Sequence, residues 1–541
     1  MKTLISVYIG NSLDYGFEPF FNGQSAFARV LLWIKSLVSS EYCDNIDKVV
    51  IFTDEKHKDR VYSSLESVDF REEYVSDEKA CKVVVKSGDF TSVSSYISAL
   101  NEIKADSDTI IHCRYSCPFY DKELTRELYE FHKKYFAEYT FAEGWPEGFV
   151  PVILNAGTLS ILKTMTEKED YGKVGRDVFF DVIKKDINSF EVETLIAPED
   201  MRQYRFDFDC ETKSKTLGCC SLFKLLQEQK HEECSANYMA SVAVFASSVL
   251  RTVPGYYNIQ LSSVCPGTCT YCPYPKAYST KFNHSPSVAD KENPLCFMSL
   301  EQFQKLVKNI ADFSGEAVVC LSLWGEALAH PDIVACIKTV LEYPGLSVLI
   351  ETDGSLVTED FVNCIEIPDI ERTNAYPPLM WIVSLDSNNQ NMYEKIRGKG
   401  QSFWEISYEK ASRAYDILSK RFSESTYLQF VRMKENEEQL ESFYRSRKDH
   451  VIIQKYDSFA GYMPDFQVTD LSPVVRNPCW HYRRDMVILA DGSVPFCREH
   501  LLDGTVGNVF SQSLEEVWEK GRAMAFTEKC EKCDEYYTFN F

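Results

Sequence analysis

Along the first 230 residues, strand-like and helix-like patterns of hydrophobic positions alternate. Short β-rich apolar runs predict strands at 4–9, 49–53, 82–85 and 108–112. Between the first two runs, Phe27, Val30, Leu31 and Ile34 recur at intervals of three and four residues, which predicts an amphipathic helix. Strands that alternate with helices predict a mostly parallel sheet with helices on both faces.

A second series of the same kind begins after Pro254 and Gly255. Its predicted strands are 256–261, 317–323, 347–350, 380–385, 427–431 and 451–454. The clearest helix starts at Ser299, with Gln302 as its capping-box partner. Six strand–helix units predict a parallel sheet curled into a full or partial barrel, whose ligands lie at the carboxyl ends of the strands.

The predicted fold class is therefore α/β, in four parts. A doubly wound α/β domain spans 1–232, and an apolar helix from Tyr238 to Leu250 forms a linker within 233–252. A partial (β/α)6 barrel spans 253–460, and a small cysteine-bearing domain spans 461–541.

Composition narrows the classes of partner. The chain has 541 residues, 45% hydrophobic and 26% charged, which is typical of a globular protein with a packed core. Its formal net charge is −23 and it has no long Lys/Arg run, so nucleic acid is not expected as a partner. No apolar run reaches the roughly 18 residues of a membrane span. We expect no membrane partner and a cytoplasmic location, because the amino terminus reads as a strand.

Cytoplasmic cysteines stay reduced as a rule, so those of the nineteen with motif spacing are interpreted as metal ligands. Cys265, Cys269 and Cys272 form a CxxxCxxC loop directly after a predicted strand. A structural zinc site or a simple electron-carrying [4Fe–4S] cluster takes four protein ligands. Three thiolates would leave one iron of a cluster open to a ligand that is not protein.

The loops at the following strand ends complete a pattern. They are 323–332, 351–355, 384–387 and 430–438. Taken singly, each reads as an ordinary βα turn. Taken in this order behind CxxxCxxC, they resemble the radical S-adenosylmethionine (radical SAM) superfamily, in its SPASM/twitch branch, over about residues 253–541.

That resemblance implies that the three cysteines bind a [4Fe–4S] cluster, whose fourth iron is chelated by the amino and carboxylate groups of S-adenosyl-L-methionine. Gly325 and Glu326 match the central pair of the family's Gly-Gly-Glu-Pro motif, which meets the methionyl amino group. The other implied cofactor contacts are Tyr271 near the adenine, and Thr352, Ser384 and Arg432 near the carboxylate or ribose. A turn hydroxyl that caps its own loop is the alternative for the threonine. No catalytic residue is assigned.

A second cysteine set lies near the end of the chain, at Cys479, Cys497, Cys530 and Cys533. The spacing Cys479-x12-Gly492-x4-Cys497 resembles the opening of a SPASM domain. Four cysteines suffice for one fully ligated auxiliary [4Fe–4S] cluster, which implies an electron relay. A zinc site with the same four thiolates is the alternative.

The first domain weakly resembles the cytidylyltransferases of the nucleotide-diphospho-sugar transferase fold. The resemblance rests on runs at 21–27, 117–124, 139–148 and 204–212. Their basic nucleotide loop is replaced here by 10–16, which has no Lys or Arg, and their metal-binding Asp by the segment from Arg114 to Cys117. We therefore expect a degenerate binding or scaffolding domain. The layout as a whole resembles the group called spiro-SPASM proteins.

The resemblance implies an enzyme that reductively cleaves S-adenosylmethionine and abstracts hydrogen from a substrate. A low-potential flavodoxin or ferredoxin would supply the electron. The substrate is not readable, and both a peptide and a sugar or nucleotide conjugate stay open. Two other classes also stay open: a bifunctional nucleotidyltransferase, and an iron–sulfur or zinc scaffold without radical chemistry.

Overall fold

The computed structural model describes residues 2–10, 14–40, 43, 45–70, 73–76, 79–104, 106–229, 235–274, 297–401, 404–447, 450–470, 479–500, 503–522 and 527–534. The chain divides into two compact units, Met1–Thr252 and Val253–Phe541. No helix in these ranges is long and apolar enough to cross a membrane.

The first unit contains an eight-stranded sheet. Its strands are β1 (Thr3–Tyr8), β2 (Ile46–Thr53), β3 (Glu73–Ser76), β4 (Lys79–Ser87), β5 (Thr109–Arg114), β6 (Tyr139–Glu143), β7 (Val152–Asn155) and β8 (Val192–Ile196). Their order is β3-β4-β2-β1-β5-β7-β6-β8. The central strands β4, β2, β1 and β5 are parallel, as predicted. β3 runs antiparallel to β4, because two intervening residues suffice for a hairpin but not for a parallel crossover.

Helices cover both faces of this sheet. They are α1 (Ala26–Val38), α2 (Lys58–Ser67), α3 (Val93–Ile103), α4 (Lys122–Lys134), α5 (Thr158–Thr166), α6 (Val178–Ile183), α7 (Lys213–Glu228), α8 (Ala236–Phe245) and α9 (Ser247–Leu250). The strand residues Ile5 and Val7 enter one core, whereas Leu4 and Tyr8 enter the other.

The prediction of a single helix from 238 to 250 is wrong, because the chain forms two helices that are separated at Ala246. The backbone of this residue is extended, with ψ of 101°. The break lets both short helices use the same core, where Ala243 of α8 and Val249 of α9 are buried. The segment therefore packs within the first unit.

The second unit is built on a seven-stranded parallel sheet. Its strands are β9 (Tyr256–Ile259), β10 (Ala317–Cys320), β11 (Leu346–Thr352), β12 (Leu379–Ser384), β15 (Thr426–Arg432), β16 (Val451–Lys455) and β17 (Asp485–Ile488), with short strands β13 (Gly400–Gln401) and β14 (Trp404–Glu405) forming a separate hairpin. The order is β16-β15-β12-β11-β10-β9-β17. The six predicted strands are all present. The seventh, β17, comes from the predicted small domain and pairs with β9.

Helices follow the strands, and a short two-stranded sheet and three helices lie after β16. They are α10 (Leu300–Ser314), α11 (Ile333–Leu341), α12 (Glu359–Asn363), α13 (Gln390–Arg397), α14 (Tyr408–Arg421), α15 (Glu437–Arg447), α16 (Trp480–Arg484), β18 (Ser493–Val494), β19 (Gly507–Asn508), α17 (Leu514–Arg522) and α18 (Glu528–Lys532). Helix α10 begins as predicted: the Ser299 hydroxyl accepts a hydrogen bond from Gln302 N at 3.2 Å.

The inner face of the barrel sheet has an apolar layer below a polar one. The apolar layer is formed by Tyr256, Val318, Cys320, Leu349, Met380 and Ile382. Side chains alternate between faces with a period of two, so the inner face continues two residues further along each strand. It there presents Asn258, Glu351, Ser384, Gln429 and Gln454, all of which line one cavity. This change from apolar to polar locates the site at the carboxyl ends of the strands.

Candidate active site

The cysteine loop follows β9 and is attached to the carboxyl end of α13. Thr268 N donates to the carbonyl of Arg397 at 3.1 Å, and Thr270 N donates to that of Ile396 at 2.8 Å. A Cβ added at Gly267 would lie 3.3 Å from Cys269 Sγ and 3.8 Å from Cys265 Sγ. The glycine therefore keeps open the space that both sulfurs face.

Burial raises the pKa of all three thiols. That of Cys272 is raised to about 12, with the charge of Cys269 adding to the effect of burial. Burial also raises the pKa of Cys269, but the positive charge of the Arg397 guanidinium acts in the opposite direction. A metal that binds here must therefore displace protons from buried thiols, as metal-binding cysteines do.

The three cysteines line an open cavity with a volume of about 190 Å³. Five of the six predicted cofactor contacts line it as well: Tyr271, Gly325, Glu326, Thr352 and Ser384. Arg432 is not in the lining. Its Nε and Nη2 pair with the Glu437 carboxylate at 2.8 and 2.6 Å, and the side chain is one-third exposed.

Gly325 is required by the backbone where the second loop meets the first. Its φ is +155°, and a Cβ would lie 1.8 Å from the carbonyl oxygen of Ser262. The next residue is bound to the same segment, because Glu326 N donates to Val264 O at 2.8 Å. The loop that carries the carboxylate is thus packed directly against the start of the cysteine loop.

The Glu326 carboxylate is buried and accepts hydrogen bonds from the following strand end. Thr352 Oγ1 donates to Oε1 at 2.8 Å, and Asp353 N donates to Oε2 at 3.0 Å. Burial, reinforced by the charge of Asp353, raises the pKa of Glu326 to about 8. Thr352 Oγ1 also accepts from Gly354 N at 3.0 Å, so the hydroxyl holds its own turn as well as the carboxylate.

The carboxylate of Asp353 also lines this cavity. Its Oδ1 accepts from Ser355 N at 2.7 Å, whereas its Oδ2 is buried and has no hydrogen-bond partner among the described residues. Glu351 lines the cavity too, and burial raises its pKa, opposed by Arg498 and Arg397. The sequence did not predict a role for these two carboxylates, although both are neighbours of Thr352, which was predicted to contact the cofactor.

Arg397 is a buried cation for which the sequence predicted no role. Arg397 lines the cavity, and its Nη1 lies 2.9 Å from Asp386 Oδ2. Tyr271 donates to the same oxygen at 3.0 Å and accepts from Arg397. Asp386 Oδ1 accepts from Val431 N at 2.8 Å, so this carboxylate connects the cysteine loop, α13 and β15. The arginine ends helix α13 instead of following a strand, so the pattern of strand-end loops does not include it.

The second cysteine set occupies three separate segments. Cys479 caps the amino end of α16, Cys497 follows β18, and Cys530 and Cys533 lie in and just after α18. Burial raises the pKa of Cys479 to about 12 and also raises that of Cys497, and charge interactions link both thiols to Cys530. Within the described ranges, no three His, Cys, Asp or Glu side chains are already grouped as ligands of a single ion.

Comparison with known proteins gives two family matches. The model of the radical SAM superfamily matches residues 259–446, and that of the SPASM iron–sulfur cluster-binding domain matches residues 479–535. An uncharacterised protein of Treponema pallidum (strain Nichols) is 36% identical over 377 residues, which are 67% of this chain and 98% of that protein.

Two solved structures are more distant. Streptococcus suis SuiB bound to the precursor peptide SuiA is 13% identical, with a TM-score of 0.40, over 63% of this chain and 87% of that chain. A cytidylyltransferase from Leptospira borgpetersenii serovar Hardjo-bovis (strain JB197) is 13% identical, with a TM-score of 0.34, over 46% of this chain and 96% of that chain.

Proposed function

The chain belongs to the radical SAM superfamily and carries a SPASM domain, and from this premise we propose that it removes a hydrogen atom from a substrate. Its cofactors are a [4Fe–4S] cluster, S-adenosyl-L-methionine and an auxiliary cluster. Bound together, the first cluster and S-adenosylmethionine supply a 5′-deoxyadenosyl radical by one-electron cleavage of a C–S bond.

In this proposal, Cys265, Cys269 and Cys272 hold the cluster. The sulfurs of Cys265 and Cys269 both face the space beside Gly267, which the missing side chain leaves free. Glu326 receives the methionyl amino group, and Oδ2 of Asp353, which has no hydrogen-bond partner in the described part of the chain, is a second acceptor beside it. Thr352 orients the Glu326 carboxylate through their 2.8 Å hydrogen bond.

We assign the partner of the methionyl carboxylate to Arg397 in preference to Arg432. Arg397 is buried, lines the cavity and is held by Asp386, whereas Arg432 is paired with Glu437 outside the lining. Tyr271 stays the proposed neighbour of the adenine, because its hydroxyl is fixed by Arg397 and Asp386. Ser384 faces the cavity from β12 and is the proposed ribose contact.

We assign the radical chemistry to residues 253–460 and the auxiliary centre to residues 461–541. Cys479, Cys497, Cys530 and Cys533 would hold an auxiliary [4Fe–4S] cluster that relays electrons, with a flavodoxin- or ferredoxin-type reductant. The substrate is a peptide or a sugar or nucleotide conjugate.

For residues 1–232 we propose a binding or scaffolding role. Arg114 at the end of β5 pairs with Asp209, at 2.7 Å, and with Glu211. A cation therefore occupies the place where the resemblance calls for a metal-binding carboxylate. This supports a role without nucleotidyl transfer.

The observation that carries the proposal is the convergence of the cysteine loop, Gly325, Glu326 and Thr352 on one cavity. Anaerobic reconstitution tests it. Two [4Fe–4S] clusters predict about eight irons per chain, and dithionite should drive formation of 5′-deoxyadenosine. Cys269→Ala should abolish that product and halve the iron. Persistent cleavage in this variant would refute the assignment, and zinc in place of the second four irons would support a zinc site at the later cysteines.

A further inference from the structure

His500 lies between two of the proposed ligand segments of the auxiliary centre. Its backbone N–H donates to the carbonyl of Cys497 at 3.1 Å. Its ring packs edge-on against Phe496, with centroids 5.1 Å apart, and its side chain is only 5% exposed. The ring is therefore fixed to the segment that contains Cys497.

The two ring nitrogens face different groups. Nδ1 lies 2.7 Å from Asp503 Oδ2, and Asp503 is in turn held by Lys529 Nζ at 2.5 Å. Nε2 lies 4.0 Å from Cys530 Sγ and 3.5 Å from Thr527 Oγ1, and that hydroxyl is 3.4 Å from the same sulfur. The imidazole thus reaches across to a thiol thirty residues further along the chain.

We propose that His500 is a positioning residue of the auxiliary centre, which donates from Nε2 to the sulfur of Cys530 while Asp503 fixes the ring through Nδ1. This inference rests on the proposed function, because it assumes a cluster held by Cys530. A metal-bound Cys530 sulfur is a hydrogen-bond acceptor, and Nε2 is the ring nitrogen that faces it. Hydrogen bonds to ligand sulfurs are among the factors that set the potential of an iron–sulfur cluster.

The test is a redox titration of the auxiliary cluster alone. Full-length chain with Cys265, Cys269 and Cys272 changed to Ala is reconstituted anaerobically, its iron is counted, and its midpoint potential is followed by EPR. His500→Leu should shift the potential negative at unchanged iron content. His500→Gln, which keeps an N–H donor, should shift it less. Lys520→Met changes an exposed residue of α17 and should match the parent.

A second measurement avoids any change at His500. In the parent labelled with 15N-histidine, pulsed EPR should show a weak nitrogen coupling to the reduced cluster, and a strong coupling would overturn the proposal in favour of direct ligation. An unshifted potential in His500→Leu would also overturn it, while leaving the proposed function intact. Zinc in place of iron at this site would overturn both the inference and the proposed electron relay.

Discussion

A single methyl group at Gly325 should uncouple cluster binding from S-adenosylmethionine cleavage. The Cβ of an alanine at this position would lie 1.8 Å from Ser262 O, whereas ordinary contacts of this kind begin at 3.4 Å. The two backbone segments must then separate by about 1.6 Å, the difference between these distances. The φ of +155° adds strain, because residues with a side chain rarely adopt it.

The displaced loop carries Glu326 but none of the three cysteines. A misplacement of about 1 Å can cost roughly 100-fold in rate, so Gly325→Ala should form 5′-deoxyadenosine about 100-fold more slowly at unchanged iron content. The assay is chromatographic quantification of 5′-deoxyadenosine after anaerobic reconstitution and dithionite reduction. Gly175→Ala is the matched control, because nothing lies within 4 Å of its added Cβ. A Gly325→Ala enzyme with wild-type turnover would refute the reasoning.

Three further predictions concern single side chains. The pKa of Glu326 is raised to about 8, so the folded cofactor-free chain keeps this carboxyl protonated while the unfolded chain ionises it near pH 4.5. Thermal stability should therefore fall as pH rises from 5 to 8, and Glu326→Gln should flatten that dependence; parallel profiles would contradict the burial argument. Arg397→Leu should weaken S-adenosylmethionine binding at least tenfold in equilibrium dialysis, whereas Arg432→Leu should change it little. Cys497→Ser should lower the iron content from about eight to about four per chain, and unchanged iron would remove this residue from the ligand set.

Much of the scaffold was predictable because its determinants are local. The α1 residues Phe27, Val30, Leu31 and Ile34 are all buried, as their spacing predicted. The strand patterns similarly located the six barrel strands. A contact between distant segments is different: nothing in the local pattern of 485–488 indicated that β17 would pair with β9.

In the candidate site, too, the residues within local motifs could be predicted, whereas those that depend on contacts between distant segments could not. The CxxxCxxC loop and the Gly325-Glu326 pair were recognisable because their chemistry lies in consecutive residues. Arg397 was not, because its role depends on where the end of a helix meets Asp386 and Tyr271. Arg432 was chosen by its position after a strand, but a nearby carboxylate on α15 draws its side chain away from the cavity lining.

The central claim is that S-adenosylmethionine chelates the open iron of the cluster held by Cys265, Cys269 and Cys272. Pulsed EPR of the reduced protein with S-adenosylmethionine labelled with 15N at the methionyl amino group tests it most directly. The account predicts a strong nitrogen coupling in the wild type and none in Cys269→Ala, which retains only the auxiliary cluster. A wild-type spectrum without that coupling, at full iron content and saturating S-adenosylmethionine, would contradict it.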